Sequence, residues 1–200
     1  ELDLIPFLLP AEEWREIEAG LTQRARLLNL ILADIYRDRS LLKNGVLPPE
    51  LVFGNPGFLR PCHGVKPPGQ TFLSFCAVDL FRSATGRWCV LRDRVETPTG
   101  PGFALENRII LSQVLSRLFH QNRVTRLAPF FHALHEHLAG TARHQRNDPC
   151  IVLLSPGPSS ETYFEHAFLA RYLGYSLVES GDLTVRDHSV YLKTLGGLQP

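Results

Sequence analysis

The stretch from residue 151 to residue 179 limits the choice of fold more than any other part of the sequence. It begins with the apolar run IVLLS, which is typical of a strand buried on both faces, and continues with the turn-forming sequence PGPSS. The next segment, ETYFEHAFLARYLG, has a helical pattern and ends at a glycine, and YSLVES follows as a second short strand. A strand, a helix and a strand within about 30 residues form a βαβ unit. We therefore expect strands 151–155 and 176–179 to run parallel, joined by a right-handed crossover through helix 160–173.

A long helix and a hairpin are predicted in the first half of the chain. Between residues 10 and 38, apolar side chains recur at three- and four-residue steps and so share one helix face. Residues 50–70 are rich in proline and glycine and predict an ordered loop. The β-prone runs FLSFCAVDLFRS and RWCVLRDRV flank the turn sequence Ala84-Thr85-Gly86, which predicts an antiparallel hairpin.

Two further helices are expected between the hairpin and the βαβ unit, and a small hairpin is expected within TVRDHSVYLKT. The sequence therefore predicts an α/β fold, in which a Rossmann-like βαβ element accompanies an antiparallel hairpin and a helical N-terminal segment. We expect one compact unit with three parts: an N-terminal helical segment at 1–60, the hairpin with two helices at 61–148, and the Rossmann-like element at 149–200.

The composition excludes several classes of function. The chain has 21 basic and 20 acidic residues, so it lacks the basic excess that favours nucleic-acid binding. No apolar run approaches the roughly 18 residues of a membrane span, and no signal peptide is recognisable.

We expect a cytoplasmic protein with reduced cysteines, although the spacing of Cys76 and Cys89 would also allow a disulfide across the hairpin. The absence of methionine and the ending LKTLGGLQP indicate a fragment of a longer protein.

Four stretches of the sequence carry a resemblance to a known family. They are LPPELVFGNPGFLRPC, the segment from AVDLFRS to GFALENR, RLAPFF, and the segment from LLSPGPSS to LKTLGGL. With these motifs the chain resembles the N-terminal part of circularly permuted ATP-grasp (type 2) proteins, which are related to glutathionylspermidine synthetases. The segment 149–200 would then be the element that precedes the ATP-grasp domain.

The resemblance implies an ATP-dependent carboxylate–amine ligase that uses ATP and Mg²⁺. Such an enzyme phosphorylates a carboxylate to an acyl phosphate, which an amine attacks to give an amide, ADP and phosphate. The expected partners are small amino-acid or peptide substrates, with no nucleic acid and no membrane. We expect the 200-residue chain alone to be inactive. The alternative is a degenerate, non-catalytic relative that binds a peptide or a protein partner.

The resemblance also assigns roles to residues of the hairpin. Asp79 aligns with an aspartate that holds magnesium in glutathionylspermidine synthetases, although a solvent-facing aspartate would fit this strand as well. Where those relatives carry Glu-x-Asn in the second strand, this sequence has Arg92-Asp93-Arg94. Arginine cannot bind magnesium, but its fork of donors suits phosphate. We therefore expect Arg92 and Arg94 to share a face with Asp79 and to bind phosphate, while Asp93 points the other way.

Further candidates follow from the remaining motifs. Substrate-binding roles are implied for two groups: the loop residues Thr97, Thr99 and Gly100, and the ALENR residues Glu106, Asn107 and Arg108. The alternative for the loop is an ordinary surface turn. The alternative for the ALENR residues is a structural role at the start of a helix, in which they cap the helix and form ion pairs. In that position Glu106 would lie near the positive end of the helix.

The turn between strand and helix gives a third group of substrate-binding candidates, Ser159, Ser160 and Glu161, because free N–H groups at a helix start attract anions. A plain N-cap is the alternative for the serines. The alternative for the polar residues of the helix is a solvent-exposed stripe formed by Glu161, Glu165 and His166. Lys193, in a strand-like segment before Gly196-Gly197, is a candidate for nucleotide binding. For the helical residues His132, His135 and His137 we expect a solvent-exposed surface and not a metal site.

We expect Asp79, Arg92, Arg94 and Thr99 to face the same cleft as the 155–160 turn.

Overall fold

The structure is a computed structural model, and it describes residues 5–141 and 149–200. The chain divides into two compact units, Glu1–Pro98 and Thr99–Pro200. Both contain helices and strands, which confirms the α/β class predicted from the sequence. The boundary at Pro98 falls inside the predicted middle part, 61–148, so the hairpin and the helices that follow it belong to different units.

The first unit is built on the long helix α1, Ala11–Tyr36, close to the predicted 10–38. Two short helices follow, α2 (Ser40–Lys43) and α3 (Pro49–Phe53). The Asp34 carboxylate accepts hydrogen bonds from the backbone N–H groups of Ser40 and Leu41 at 2.8 and 2.9 Å. This carboxylate therefore fixes the start of α2 directly after the end of α1. None of the helices in the described residues has the length and apolar character needed to cross a membrane.

Aromatic packing orders the proline- and glycine-rich stretch, which the sequence predicts to be an ordered loop. It contains α3 and two 3-10 turns, Arg60–Cys62 and Pro68–Gln70. The ring of Phe58 stacks on Tyr36 of α1 at 5.3 Å and meets Phe53 edge-on at 5.2 Å. The stretch is thereby held against the C-terminal end of α1.

The predicted hairpin consists of β1, Ala77–Arg82, and β2, Trp88–Arg94, which pair antiparallel. Gly86 takes a φ of 82° in the turn between them, a left-handed conformation that suits glycine. The ladder contains a β-bulge. Asp79 pairs with Arg92, but the next residue, Leu80, pairs with Val90, so Leu91 has no partner in the ladder.

Helices make up the first half of the second unit. Pro101–Val114 forms α4 and Ser116–Gln121 forms α5, so the first predicted helix is broken at Leu115. Ala128–Thr141 forms α6.

The βαβ unit follows these helices. Strand β3 (Val152–Leu154) pairs in parallel with β4 (Ser176–Val178), and α7 (Tyr163–Leu173) connects them. The parallel pairing is confirmed, whereas the right-handed crossover stays a prediction. Helix α7 begins at Tyr163, three residues after the predicted start, because turns occupy the residues directly before it.

The chain continues into a three-stranded antiparallel sheet. It contains β5 (Leu183–Arg186), β6 (Ser189–Thr194) and β7 (Gly197–Gln199), in that order. The first two strands are the small hairpin expected from the sequence, and β7 adds a strand that the sequence pattern did not indicate. Asp187 and His188 have φ angles of 48° and 61° in the turn, and positive φ at both central residues is typical of a type I′ hairpin.

The core of the second unit is formed where α4, α6 and α7 pack together. Its buried apolar side chains are Leu105, Phe131 and Ala170, and Val178 of β4 is buried as well. Aromatic rings link the helices: Phe164 of α7 stacks on Phe103 of α4 at 5.6 Å, and Tyr172 of α7 meets Phe131 edge-on at 5.3 Å. This packing fixes one face of α7 against α4 and α6.

Candidate functional site

The hairpin of the first unit carries a cluster of one carboxylate and two guanidinium groups. Arg92 donates to Asp79 Oδ2 through Nε at 3.0 Å and through Nη2 at 2.8 Å. Arg94 donates to the same oxygen through Nη2 at 3.0 Å, and its Nε lies 3.2 Å from both carboxylate oxygens. The expectation that Asp79 shares a face with Arg92 and Arg94 is therefore confirmed, and we refer to these three residues as the hairpin cluster.

The other face of the hairpin packs against α1. Asp93 lies on this face and accepts two hydrogen bonds from Arg24 of α1, at 2.7 and 2.6 Å. The indole N–H of Trp88 donates to Glu13 of α1 at 3.0 Å. Asp93 therefore points away from the hairpin cluster, as expected, and holds the hairpin to the helix.

The electrostatics of the hairpin cluster leave positive charge in excess. Hydrogen bonds from Arg94 and then Arg92 lower the pKa of the Asp79 carboxyl, so Asp79 is ionised at neutral pH. One negative charge then stands against two positive charges. The side chains remain accessible, with 59% of Arg92 and 43% of Arg94 exposed. An arrangement of this kind can receive a phosphate or another oxyanion.

The hairpin cluster does not suit a magnesium ion. Magnesium takes oxygen ligands in an octahedral arrangement, usually from one or two carboxylates and phosphate oxygens. Asp79 is the cluster's one carboxylate, and both of its oxygens are engaged by guanidinium groups. In residues 5–141 and 149–200, no group of three or more His, Cys, Asp or Glu side chains is placed to hold a metal.

A buried carboxylate forms a second polar centre, in the second unit. Glu165 of α7 is 1% exposed, and its Oε1 accepts hydrogen bonds from the backbone N–H groups of Gly100 at 2.7 Å and Gly102 at 2.9 Å. These N–H groups belong to the start of α4, where no local side chain acts as a cap. The other carboxylate oxygen of Glu165, Oε2, is buried and has no hydrogen-bond partner among the described residues. Glu165 thus serves as the N-terminal cap of a different helix.

This cap corrects two predictions. The solvated stripe predicted for Glu165 is wrong, because it is the most buried charged side chain in the part of the chain that the structure describes. The position of Glu106 near the positive end of a helix is also wrong, because α4 begins five residues earlier, at Pro101, and Glu165 occupies that end instead. The sequence does contain a signal for the cap. A helix that starts at Gly100-Pro101-Gly102, without Ser, Thr, Asp or Asn as its cap, needs an acceptor from elsewhere.

The turn after β3 is organised by a buried serine. Ser155 is 2% exposed; its Oγ accepts from the Gly157 N–H at 3.2 Å and lies 3.0 Å from His166 Nδ1. Gly157 has a φ of 101°, and a Cβ there would approach the Glu179 carboxylate to 3.1 Å. Glycine is therefore required at this position, and His166 is a partner of the turn and not part of a solvated stripe.

The remaining candidates at this turn differ in their surroundings. Ser160 accepts a hydrogen bond from the Thr162 N–H at 3.3 Å, and its hydroxyl lies 2.8 Å from that of Thr162. It orders the turn before α7 and does not make the predicted N-cap contact. Ser159 and Glu161 are exposed. Substrate binding by Ser159, Ser160 and Glu161 stays a prediction.

The predicted substrate loop lies at the boundary between the two units. Thr97, with a φ of 39°, is close to the end of the first unit, and Thr99 and Gly100 begin the second. Because the hairpin cluster belongs to the first unit and the 155–160 turn to the second, their common cleft stays a prediction.

The ALENR residues and Lys193 make local contacts in the second unit. Arg108 of α4 donates to the Thr125 carbonyl at 3.1 Å, and Glu106 and Asn107 are partly exposed on the same helix. Lys193 of β6 donates to the Gly181 carbonyl at 2.8 Å. Ligand binding by these residues stays a prediction.

The histidines of α6 form no metal site in the described residues. His132 lies 3.2 Å from Glu136, and His135 Nδ1 lies 2.9 Å from the Tyr175 hydroxyl. His137 is only partly exposed, so the predicted solvated surface is not uniform.

The cysteines are free thiols at all four positions. The alternative disulfide between Cys76 and Cys89 is therefore not formed. Burial raises the pKa of the Cys76 thiol, which keeps it protonated at neutral pH.

Comparison with known proteins identifies the family. The sequence matches the family described as circularly permuted ATP-grasp type 2 over residues 6–200. Relatives include an uncharacterized protein of Mycobacterium tuberculosis, 42% identical over 99% of this chain, and one of Synechocystis, 37% identical over 99%. The chain spans 22% and 41% of the length of these two relatives. Since the family match extends over nearly the whole sequence, this chain belongs to the circularly permuted ATP-grasp type 2 family.

Proposed function

We propose that this chain is part of an ATP-dependent carboxylate–amine ligase, and that Arg92 and Arg94 bind the phosphates of its nucleotide. Family membership supports a ligase-like role that depends on ATP. The observation that carries the assignment to these residues is the hairpin cluster itself. Two exposed guanidinium groups share one carboxylate, so the cluster keeps a positive charge that a phosphate can neutralise.

In this proposal Asp79 holds the arginines in place before the nucleotide arrives. A guanidinium fork that is already oriented loses less side-chain entropy when it binds a phosphate. When phosphate oxygens accept the arginine N–H groups, Asp79 gives up part of its hydrogen bonding. In the reaction, the two positive charges would stabilise negative charge on the phosphoryl group as it moves to the substrate carboxylate.

The proposed chemistry sets requirements for the rest of the protein. ATP phosphorylates a carboxylate, the acyl phosphate is attacked by an amine, and an amide, ADP and phosphate are released. Acyl phosphates react with water, so the site must exclude water during this step. Magnesium, when bound, would neutralise phosphate charge, and in the structure both carboxylate oxygens of Asp79 are engaged by arginine N–H groups and are not free to hold it. A small amino acid or peptide is the proposed substrate.

A second candidate is a non-catalytic member of the family that binds a peptide or protein partner. The observation in its favour is the pair Arg92 and Arg94. By the resemblance to glutathionylspermidine synthetases, Glu-x-Asn would be expected at these positions. A protein of this kind would bind an anion at the hairpin without turnover.

The test is Arg94→Ala in the intact protein that contains this chain, with nucleotide affinity measured by calorimetry and turnover by ADP release. We expect roughly tenfold weaker ATP binding, the value of one charge-assisted hydrogen bond, with nearly unchanged thermal stability because the group is exposed. Arg87→Ala is the matched control: it lies on the same hairpin, is exposed, and makes no side-chain hydrogen bond or ion pair within the described residues.

Three results separate the candidates. Weaker ATP binding in Arg94→Ala but not in Arg87→Ala supports the phosphate assignment. Nucleotide binding without ADP release, across a panel of amino acids and small peptides, favours the non-catalytic member. Unchanged ATP affinity in an Arg92→Ala/Arg94→Ala double variant overturns the assignment of these arginines.

A further inference from the structure

A cavity of about 660 Å³ lies entirely within the second unit, and none of its lining residues belongs to the hairpin cluster. Residues of α4, α5, the connection between α5 and α6, the first residue of α6, and α7 line it. Apart from a tyrosine, its titratable lining residues are all basic: Arg108, His120, Arg123 and Arg126. No aspartate or glutamate belongs to the lining, so we call it the arginine pocket.

The charges of the arginine pocket are not neutralised by the part of the chain that the structure describes. No ion pair to Arg108, Arg123 or Arg126 occurs within residues 5–141 and 149–200. The hairpin provides the contrast, because there Asp79 sits between two arginines. Arg123 and Arg126 are exposed, so water and salt screen their charges in the free protein, and an anionic ligand can take the place of that solvent.

Local contacts hold two of the basic residues at the pocket. The Arg108 guanidinium donates to the Thr125 carbonyl at 3.1 Å and lies 5.8 Å from the centre of the Phe119 ring, and both partners line the cavity. Arg123 follows α5 with a φ of 48°, and its N–H donates to the His120 carbonyl at 3.3 Å. Arg123 is thus placed next to His120 by the backbone, and Arg108 is preoriented by its contacts.

The rest of the lining is largely apolar. Leu105 is buried, Ile109 lies one turn further along α4, and Tyr172 of α7 contributes an aromatic ring that is 44% exposed. A ligand that fits must therefore place an anionic group among the arginines and an apolar group against these side chains. Pockets of this size, apolar with a few convergent polar groups, are typical of small-molecule sites.

We propose that the arginine pocket binds a small amphipathic anion, with a carboxylate or phosphate group held by Arg108, Arg123 and Arg126 and an apolar part against Leu105, Ile109 and Tyr172. The site is formed by different residues from the nucleotide site proposed on the hairpin and does not depend on it. Carboxylates and phosphates share the oxyanion geometry that a guanidinium fork recognises.

The experiment measures binding of four probes to the intact protein by calorimetry, without ATP. Phenylacetate and phenyl phosphate offer the same ring with different anionic groups, inorganic phosphate lacks the ring, and benzyl alcohol lacks the charge. We expect saturable binding at millimolar or lower concentration for one or both of the phenyl anions. Weaker binding is expected for inorganic phosphate, and none for benzyl alcohol. The ratio of the two phenyl affinities identifies the preferred anionic group.

Variants assign this binding to the pocket. Arg123→Gln and Arg126→Gln are each expected to weaken binding of the better phenyl anion about tenfold, which corresponds to removal of one charge-assisted hydrogen bond. The control is Arg186→Gln, an exposed arginine on β5 that does not line the pocket. Both pocket residues are exposed, so the variants should keep the wild-type melting temperature and ATP affinity.

The proposal is overturned by several outcomes. These are no saturable binding of either phenyl anion at millimolar concentration, equal affinity in wild type and both pocket variants, or an equal reduction in Arg186→Gln. Weaker ATP binding in the pocket variants would assign these arginines to the nucleotide and would overturn the separate site. Failure of Arg94→Ala to change ATP binding would leave the pocket result unaffected, so the two proposals fail independently.

Discussion

The two units each contain a carboxylate that accepts several hydrogen bonds, but from donors of different kinds. In the first unit, Asp79 accepts from two exposed guanidinium groups, and 33% of its own side chain is exposed. In the second unit, Glu165 accepts from two backbone N–H groups and is 1% exposed. The kind of donor and the burial of the carboxylate therefore distinguish the two groups.

The difference lies in what can replace each set of donors. Water and salt can take the place of the partners of Asp79, so exposed pairs of this kind contribute little to stability and can exchange for a ligand. The N–H groups that donate to Glu165 are at the start of a helix, where they have no alternative partner within the helix. We infer that Asp79 belongs to a binding surface and that Glu165 determines the path of the backbone.

The largest effect is expected from Glu165→Ala. This change leaves two helix-start N–H groups without an acceptor, so the free energy of unfolding should fall by about 3 kcal/mol. Glu165→Gln keeps a neutral acceptor and should cost about half as much, because neutral hydrogen bonds are roughly half as strong. Urea unfolding measures both variants, and Glu161→Ala, which removes an exposed glutamate four residues earlier, is the matched control.

An equal fall in stability in Glu161→Ala and Glu165→Ala would contradict this role for the buried carboxylate. Unchanged stability in Glu165→Ala would show that the start of α4 is held by other contacts, and the comparison between the two carboxylates would fail.

A smaller effect is expected from Gly102→Ala. A Cβ at this position would lie 2.7 Å from Glu165 Cγ and 3.2 Å from Leu169 Cγ, so the buried side chains must shift. Overpacking of this kind costs about 1 to 3 kcal/mol. Gly20→Ala on α1 is the control, because a Cβ there would meet no atom within 4 Å, and it should stabilise the helix by up to about 1 kcal/mol. Opposite signs in urea unfolding are the expected result, and stabilisation by both would contradict the close packing at Glu165.

The smallest effect concerns pH. Hydrogen bonds from Arg94 and Arg92 lower the pKa of Asp79, so the folded state binds this proton less readily than the unfolded chain. The resulting stability is present above the unfolded pKa of about 3.9 and is lost as pH falls through the lower folded value. The melting temperature of Asp79→Asn should therefore fall less steeply than that of the wild type below about pH 4. Parallel curves would show that the hairpin cluster contributes nothing to stability.

Much of the fold could be predicted because its elements have strong local patterns. The face of α1 follows from three- and four-residue spacing, and the βαβ unit follows from two short apolar runs around a helix that ends at Gly174. Strand β7 is only three residues long, Gly197–Gln199, and offers no pattern of its own. It forms because it pairs with the edge of β6, and the local sequence pattern does not indicate this pairing.

The candidate site was predictable only where neighbouring residues determine it. Arg92 and Arg94 are two residues apart in one strand, so their common face follows from alternation. Strict alternation along the whole strand would also place Trp88 with them, yet Trp88 contacts Glu13 of α1 on the other face. The bulge at Leu91 separates the two sets. The role of Glu165 escapes sequence reasoning for a related reason, since its partners lie more than 60 residues away in the sequence.

The bulge also affects how the hairpin can change in evolution. Leu91 is the residue without a ladder partner, so deletion of its codon would give a regular ladder and keep Asp79 opposite Arg92 and Leu80 opposite Val90. Strand β1 has no such spare residue. Deletion of a codon there would shift the register by one and bring side chains of the opposite face against the arginines. Deletions are therefore tolerated unequally by the two strands, and lineages that keep the arginine pair should vary in length in β2 and not in β1.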